Sequence, residues 1–260
     1  MRIIVAMKQL PDLVEELEVD SNGTDVDREF VKFVPNEWDE QALEEALLIK
    51  ESTGAEVVVV GLDDPDMDQT LYTAIAKGAD RIVKINGTGA AEAWLTTRDR
   101  AAVLANWLAH EPFDLVMTGV QSADDLDGQL AGVLAAMLGL PHASVVVRAE
   151  VKDGFVAVAQ ELGGGVTVEE EIRLPAVIGM QTARQTPRYA PITRVRQAMQ
   201  AGGLEEVAAG VPTAGLPSGM SVRRLFPPEK SGQAEMLSGD AEAVADRIVG
   251  ILRERGLIKV

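Results

Sequence analysis

The residues best suited to chemistry lie between Gly119 and Leu130, in the run GVQSADDLDGQL. This run leaves an apolar, strand-like segment, makes a long polar turn and enters a helical pattern at about Gly128. A helix starting there leaves the N–H groups of Gly128, Gln129 and Leu130 without intrahelical partners. Such amides, at the positive end of the helix dipole, attract an anion such as a phosphate. Gly128 has no Cβ, so the anion could approach the backbone closely. Gln121, Asp124 and Asp125 offer hydrogen bonds to a ribose or to base edges. The competing reading is that Asp124, Asp125 and Asp127 are only turn and helix-start residues. Neither a Walker lysine loop nor a G-x-G-x-x-G occurs, so neither standard phosphate loop applies.

Other candidates carry less chemistry. Asp63, Asp64, Asp66 and Asp68 follow a buried strand and superficially suggest a hydrolase with an aspartate nucleophile and Mg²⁺. They stand beyond a Gly-Leu step, however, and lead into an ordinary helix start, which favours a solvated, dipole-stabilised first turn. His110 and His142 are the only histidines, and both read as surface or capping residues. Glu169, Glu170 and Glu171 read as a solvated charge run. No Ser/His/Asp set stands out, so nothing here supports general acid–base or nucleophilic catalysis.

The elements that position these residues alternate. Residues 3–7, 56–61, 81–85 and 114–119 are apolar, β-branched runs typical of strands covered on both faces. A polar hairpin turning at Ser21-Asn22-Gly23 follows the first of them. Helices are expected from Glu37 to about Lys50 with Asn36 as N-cap, from Met67 to Lys77, from Thr97 as cap to about Ala109, and from Gly128 to Met137. This rhythm predicts an α/β fold, a mainly parallel, doubly wound sheet with helices on both faces. Its ligand would bind at the carboxyl ends of the strands, where Ala6-Met7-Lys8, Asn36 to Asp39, Gly61 to Asp64 and Gly119 to Leu130 converge. Beyond Pro141, residues 144–150, 155–161, 166–172 and 176–180 read as strands, two or three of them antiparallel at one sheet edge. Gly202 to Gly219 looks like an extended crossing segment, and Pro227-Pro228 marks a further break. Residues 238–255 form an amphipathic helix capped by Ser238 or Asp240, with Ala243, Val244, Ile248, Ile251 and Leu252 as its apolar stripe. Alone it cannot bury that stripe, so it docks either on its own domain or on another chain.

Composition sets the outer limits. The 260 residues include no cysteine, which excludes disulfides, thiolate metal sites and cysteine nucleophiles. No apolar run reaches the length of a membrane span, and the N-terminal MRIIVAMKQL is read as a strand and not a targeting signal. A net charge of −17 makes nucleic acid and anionic membranes poor partners.

Read together and in order, five stretches resemble the β subunit of electron transfer flavoprotein: IIVAMKQLPD, VPNEWDEQALEEALLIKE, TAIAKGADR, DLVMTGVQSADDLDGQLAGVLAAMLGLP and LPAVIGMQTARQTPRYAPITRVRQAM. The similarity runs over most of residues 1–200, with an echo in the C-terminal helix. It implies an adenine-nucleotide α-hydrolase-like domain over 1–200 and, over 201–260, an extended segment and helical arm docking on an α subunit. It also implies a cytoplasmic electron carrier without catalytic residues of its own. That carrier would bind AMP and help enclose an FAD held mainly by the α subunit. Electrons would pass from flavin dehydrogenases, such as the acyl-CoA dehydrogenases of fatty acid oxidation, to a quinone oxidoreductase.

By the same resemblance the AMP contacts fall on Ala6, Asn36, Glu37, Trp38, Asp39, Leu62, Gly119, Gln121, Ser122, Ala123, Asp124, Asp125, Asp127, Gly128, Gln129 and Leu130. The partner-recognition loop falls at Tyr189, with its apolar anchor at Ile192. Leu13 and Trp38 fall near the flavin. The sequence departs from the family pattern at Glu161-Leu162-Gly163-Gly164-Gly165, at Gly179, and at Leu13, where some relatives have an aromatic. Some relatives bifurcate electrons and hold a second FAD in the nucleotide site. Gly128-Gln129-Leu130 replaces their Thr-Ala-Gln pattern, which favours AMP here. The readings that compete are a free-standing nucleotide-binding domain similar to universal stress proteins and, from the aspartate cluster, a phosphohydrolase.

Overall fold

In the computed structural model, residues 1–125, 127–210, 221–227 and 234–258 are described. The chain opens with β1 (Arg2–Met7), β2 (Gln9–Pro11) and β3 (Phe33–Pro35), then α1 (Glu37–Thr53) and β4 (Glu56–Leu62). The alternation continues through α2 (Met67–Lys77), β5 (Arg81–Asn86), α3 (Thr97–Leu108), β6 (Leu115–Gly119) and α4 (Leu130–Leu138). The strands β7 (His142–Lys152), β8 (Phe155–Gly163), β9 (Val166–Arg173) and β10 (Ala176–Met180) follow, and after them α5 (Ile192–Ala201), β11 (Leu204–Ala208) and α6 (Ala241–Glu254).

One sheet runs in the order β11-β5-β4-β1-β6-β10-β7-β8-β9. It is parallel from β11 to β7, and β8 and β9 extend it as antiparallel strands. The doubly wound α/β fold expected from the strand–helix rhythm is therefore present. Alternate residues of β1 feed opposite cores. Ile3, Val5 and Met7 pack with Leu43 and Leu47 of α1 and Met67 and Leu71 of α2, while Ile4 and Ala6 pack with Leu104 of α3 and Leu134 of α4. With β1 central, β4 lies on one side of it and β6 on the other, so the strand order reverses between β1 and β6. That reversal opens the crevice where open α/β sheets bind ligands.

Two compact units are present, Met1–Leu225 and Phe226–Val260. The first extends past the boundary expected at residue 200, because Leu204–Ala208 pairs in parallel with β5 and closes one edge of the sheet. The Gly- and Ala-rich composition of 202–219 points instead to an extended crossing segment. Gly202 and Gly203, both at positive φ, only turn the chain into the strand. Residues 211–219 and Pro228 of the expected crossing and break lie outside the described residues. Pro191 precedes a further unexpected helix, α5, which packs against α2 and buries Val195. In the second unit α6 is capped by Asp240, whose Oδ1 accepts from Ala243 N at 2.9 Å, and none of its residues is buried. Among the described residues no helix is long and apolar enough to cross a membrane.

Candidate functional site

The crevice is organised by Lys8, just past the end of β1. Its side chain is buried, and its ammonium donates to Ser122 Oγ (2.8 Å) and pairs with Asp125 Oδ2 (3.1 Å) and Asp124 Oδ1 (2.7 Å). The turn after β6 is thus folded around a cation from the neighbouring strand. Burial works against the charge on Asp124, but the Lys8 ammonium overrides it and holds the carboxyl below its usual pKa. In the sequence Lys8 is only one member of a converging segment, because nothing local marks a partner more than a hundred residues away.

Helix α1 closes the crevice from one side. Asn36 has the extended backbone of an N-cap, but its side chain does not cap. It donates from Nδ2 to Gln121 O at 2.9 Å, tying helix start to loop, and its buried Oδ1 has no partner among the described residues. Asp39 is buried and accepts from two main-chain amides, Lys8 N (2.9 Å) and Gly119 N (2.9 Å), so it staples the ends of β1 and β6 together. Burial raises its pKa to about 7 against the pull of those amides and of Lys8. A Cβ on Gly119 would lie 2.5 Å from Asp39 Oδ1 and 2.8 Å from Asp39 N, so the close approach of α1 to β6 requires glycine.

The loop differs from expectation at its exit. Helix α4 begins at Leu130 and not at Gly128, which adopts φ +60° outside the helix. The Gln129 amide is already held by Asp127 Oδ1 at 3.1 Å. Of the three amides assigned to an anion, one is therefore taken by the chain's own carboxylate. Likewise Thr96 and not Thr97 caps α3, in a reciprocal capping box with Asp99.

Of the aspartate cluster only Asp66 and Asp68 form the expected solvated helix start, exposed at the N-terminus of α2, while Asp63 and Asp64 turn inward. Asp64 is buried in a two-pronged pair with Arg100, at 2.9 and 2.7 Å. Burial disfavours the Arg100 charge, but Asp64 outweighs it and raises the pKa. Asp63 accepts from Gly87 N and from Thr88, and Asp68 pairs with Lys84 at 2.7 Å. These carboxylates hold the fold together, and among the described residues no group is arranged to hold a metal ion. The arginine could not be read from local sequence, since it lies on the next helix but one.

Ala6, Asp39, Leu62 and Leu130 surround a cavity of only about 20 Å³ together with Lys8 and Arg100. Gln121, Ala123 and Gly128 are half-buried but do not line it, Ser122 is buried, and Glu37 and Gln129 are exposed. Trp38 is half-buried beside Gly119. Leu13, 55 % exposed, borders a larger cavity of about 380 Å³.

The far end of α1 holds a different loop. Glu45 is fully buried and accepts from Ala149 N, Arg184 N and Arg184 Nε, while Glu44 accepts from Arg188 N, Nε and Nη2. Arg188 also reaches Glu51 at 2.7 Å. Just beyond this clamp Tyr189 is 83 % exposed and Ile192, the first residue of α5, is 52 % exposed.

Comparison with known proteins matches this sequence to one family. The Electron transfer flavoprotein domain matches residues 25–211. Electron transfer flavoprotein subunit beta of Methylophilus methylotrophus is 36 % identical, with 98 % of each chain covered. The Caffeyl-CoA reductase-Etf complex subunit CarD of Acetobacterium woodii is 30 % identical over 99 % of this chain and 100 % of its own. The pig electron transfer flavoprotein subunit beta is 29 % identical over 99 % of both. With a family model spanning most of the molecule and relatives matching end to end, the chain belongs to the electron transfer flavoprotein family, as a β subunit.

Proposed function

We propose that this chain pairs with an α subunit and serves as the nucleotide-binding half of a heterodimeric electron carrier, holding AMP in the crevice between β1 and β6. The observation that carries the nucleotide reading is the convergence of Ala6, Asn36 to Asp39, Leu62 and the Gly119–Leu130 loop at the topological switch point, around Lys8. The polar groups suit an adenylate in part: Asn36 Oδ1 is a buried acceptor for a ligand hydroxyl, and main-chain amides at the start of α4 are donors for a phosphate, while Lys8 acts indirectly, shaping the loop through Ser122, Asp124 and Asp125. The space does not, because 20 Å³ holds little more than one water. Binding therefore requires either opening of the 121–129 loop or use of the adjoining larger cavity.

FAD, held mainly by the α subunit, supplies the one-electron chemistry when bound. The residues of this chain stiffen, shield and dock. Leu13 and Trp38 face the flavin edge, and Tyr189 and Ile192 dock a flavin dehydrogenase such as an acyl-CoA dehydrogenase, with a quinone oxidoreductase as electron acceptor. A small exposed apolar anchor on a clamped loop suits a transient contact, because a few residues carry most of the binding energy.

The test is direct. Denaturing the purified heterodimer is expected to release one AMP and one FAD. Two FAD would make the chain a bifurcating subunit, with flavin in the nucleotide site, and no adenylate at all would end the nucleotide reading. In the same preparation, Ile192→Ala is expected to slow electron acceptance from an acyl-CoA dehydrogenase at unchanged flavin content. Equal rates would remove Ile192 from docking.

A further inference from the structure

The cavity of about 380 Å³ beside the crevice draws its lining from three parts of the first unit. The body of the fold contributes Trp94 and Arg100, the excursion between β2 and β3 contributes Leu17 and Val26, and a segment far along the chain contributes Val222 and Leu225. Of these, only the excursion and the late segment can move without disturbing the sheet.

The excursion is stitched mainly to itself. Asp20 N donates to Asp25 O (2.9 Å), Asp27 N to Glu18 O (2.8 Å) and Gly23 N to Asp20 O (3.0 Å). It therefore folds as a small hairpin turning at residues 21–24, with Gly23 at φ +73°. Its base is the β2–β3 ladder, where Gln9, Leu10 and Pro11 face Pro35, Val34 and Phe33, and Asp12 N extends the ladder by donating to Lys32 O at 2.8 Å. None of the described residues from 12 to 32 is buried, and none enters either core. A segment with its own internal bonds and no share in the core opens at far lower cost than the sheet it covers. Connections longer than about 15 residues are uncommon in compact domains, and many of them are lids or binding loops.

The hairpin is tied down at its tip and on its flank. At the tip, Leu225 N donates to Gly23 O at 2.8 Å. On the flank, Arg28 Nη1 donates to Ala90 O at 3.0 Å, while its Nε donates to Asp25 Oδ2 at 2.9 Å and its guanidinium carbon lies 5.5 Å from the centre of the Phe33 ring. Arg28 thus joins the tip strand, the base and the 90–91 turn. We propose that residues 12–32 form a lid over this cavity, hinged at the β2–β3 ladder and latched by the Leu225 amide and the Arg28 guanidinium, and that its opening governs access. That the guest is a nucleotide rests on the reading given under Proposed function. Each latch is worth a few-fold to about tenfold in the ratio of closed to open lid, the net contribution of one hydrogen bond. Lid opening of this kind commonly sets the rate at which a bound ligand leaves.

The test removes one latch at a time in the heterodimer. Leu225→Pro deletes the tip donor, and Arg28→Met deletes the flank donor while keeping an unbranched side chain. With labelled AMP bound and excess unlabelled AMP added, each variant is expected to release the label about 3- to 10-fold faster than the parent. The amides of residues 12–32 are expected to exchange hydrogen faster as one unit, while β1, β4 and β6 stay protected, which shows that the variants are folded. Release at the parent rate in either variant overturns the lid and leaves the nucleotide reading standing. So does faster exchange confined to the neighbours of the substituted residue. Hydrogen exchange needs no ligand, so it judges the lid even if the native complex yields no adenylate and the nucleotide reading falls. In that event faster exchange throughout 12–32 in both variants upholds the lid, and parental exchange in either overturns it as well.

Discussion

Lys8 concentrates the residue-scale physics of the crevice. One buried ammonium neutralises Asp124 and Asp125 and fixes Ser122. Lys8→Met would strand two partly buried carboxylates. Removing one partner of a buried pair costs about 3–5 kcal/mol, so a drop of that order in urea-denaturation stability is expected, together with loss of co-purifying nucleotide. A variant that keeps both would show that Lys8 is ornamental to the loop. Asp39 makes the complementary case through pH. Its folded pKa of about 7 lies above the ordinary carboxyl value near 4, so from about pH 4 to 7 the folded chain holds a proton that the unfolded chain has released. This group therefore favours folding most at low pH, and its contribution declines as pH rises through that window. Asn mimics the neutral form. The stability of the parent relative to Asp39→Asn is thus expected to fall between about pH 4 and pH 7, and a constant difference would contradict it. Neither role is legible from residue types alone. Turn chemistry and apolar periodicity place both residues at strand and helix ends, but their partners are fixed by which strands become neighbours. That is a property of the sheet.

Among the elements, α1 does two jobs along one rod. Its first turn reaches the crevice through Asn36 and Asp39, and farther along the same helix Gln41, Glu44 and Glu45 take main-chain amides of the 183–188 segment. The helix itself is readable from apolar spacing and from its stop at Gly54, which takes a left-handed conformation. Its buried glutamates are not, because charged residues on an amphipathic pattern are normally assigned to solvent. Helix α5 and strand β11 escape for related reasons: short elements flanked by Pro191, Gly202 and Gly203 read as loop, and tertiary pairing with α2 and β5 overrides that texture. The clamp yields a prediction on this scale. Arg188→Lys keeps the charge but loses the planar fork that grips Glu44, so amides around Tyr189 and Ile192 are expected to exchange hydrogen faster while the sheet core remains protected. Unchanged exchange at those positions would mean that the loop needs no clamp.

At the scale of the molecule, the two units differ in how their apolar surface is used. In Met1–Leu225 the central strands β1, β4, β6 and β10 are covered on both faces, as their continuous apolar runs predict. In Phe226–Val260, helix α6 has a cap, a regular apolar stripe and no buried residue. A 14-residue helix is marginal in isolation, so its stripe of Val244, Ile248, Ile251 and Leu252 is best explained by burial on a partner. Apolar spacing reveals the helix but leaves two fates open to it. No residue of the stripe is fully buried, and we propose that the α subunit covers it. Ile248→Asp with Leu252→Asp would then be expected to break the heterodimer while leaving the melting of the separated β chain unaltered, because neither residue contributes to the sheet core. Light scattering of the co-expressed subunits checks it. If the double variant still elutes as a stoichiometric α–β complex, the arm is not the clasp, and the interface must be sought on the first unit instead.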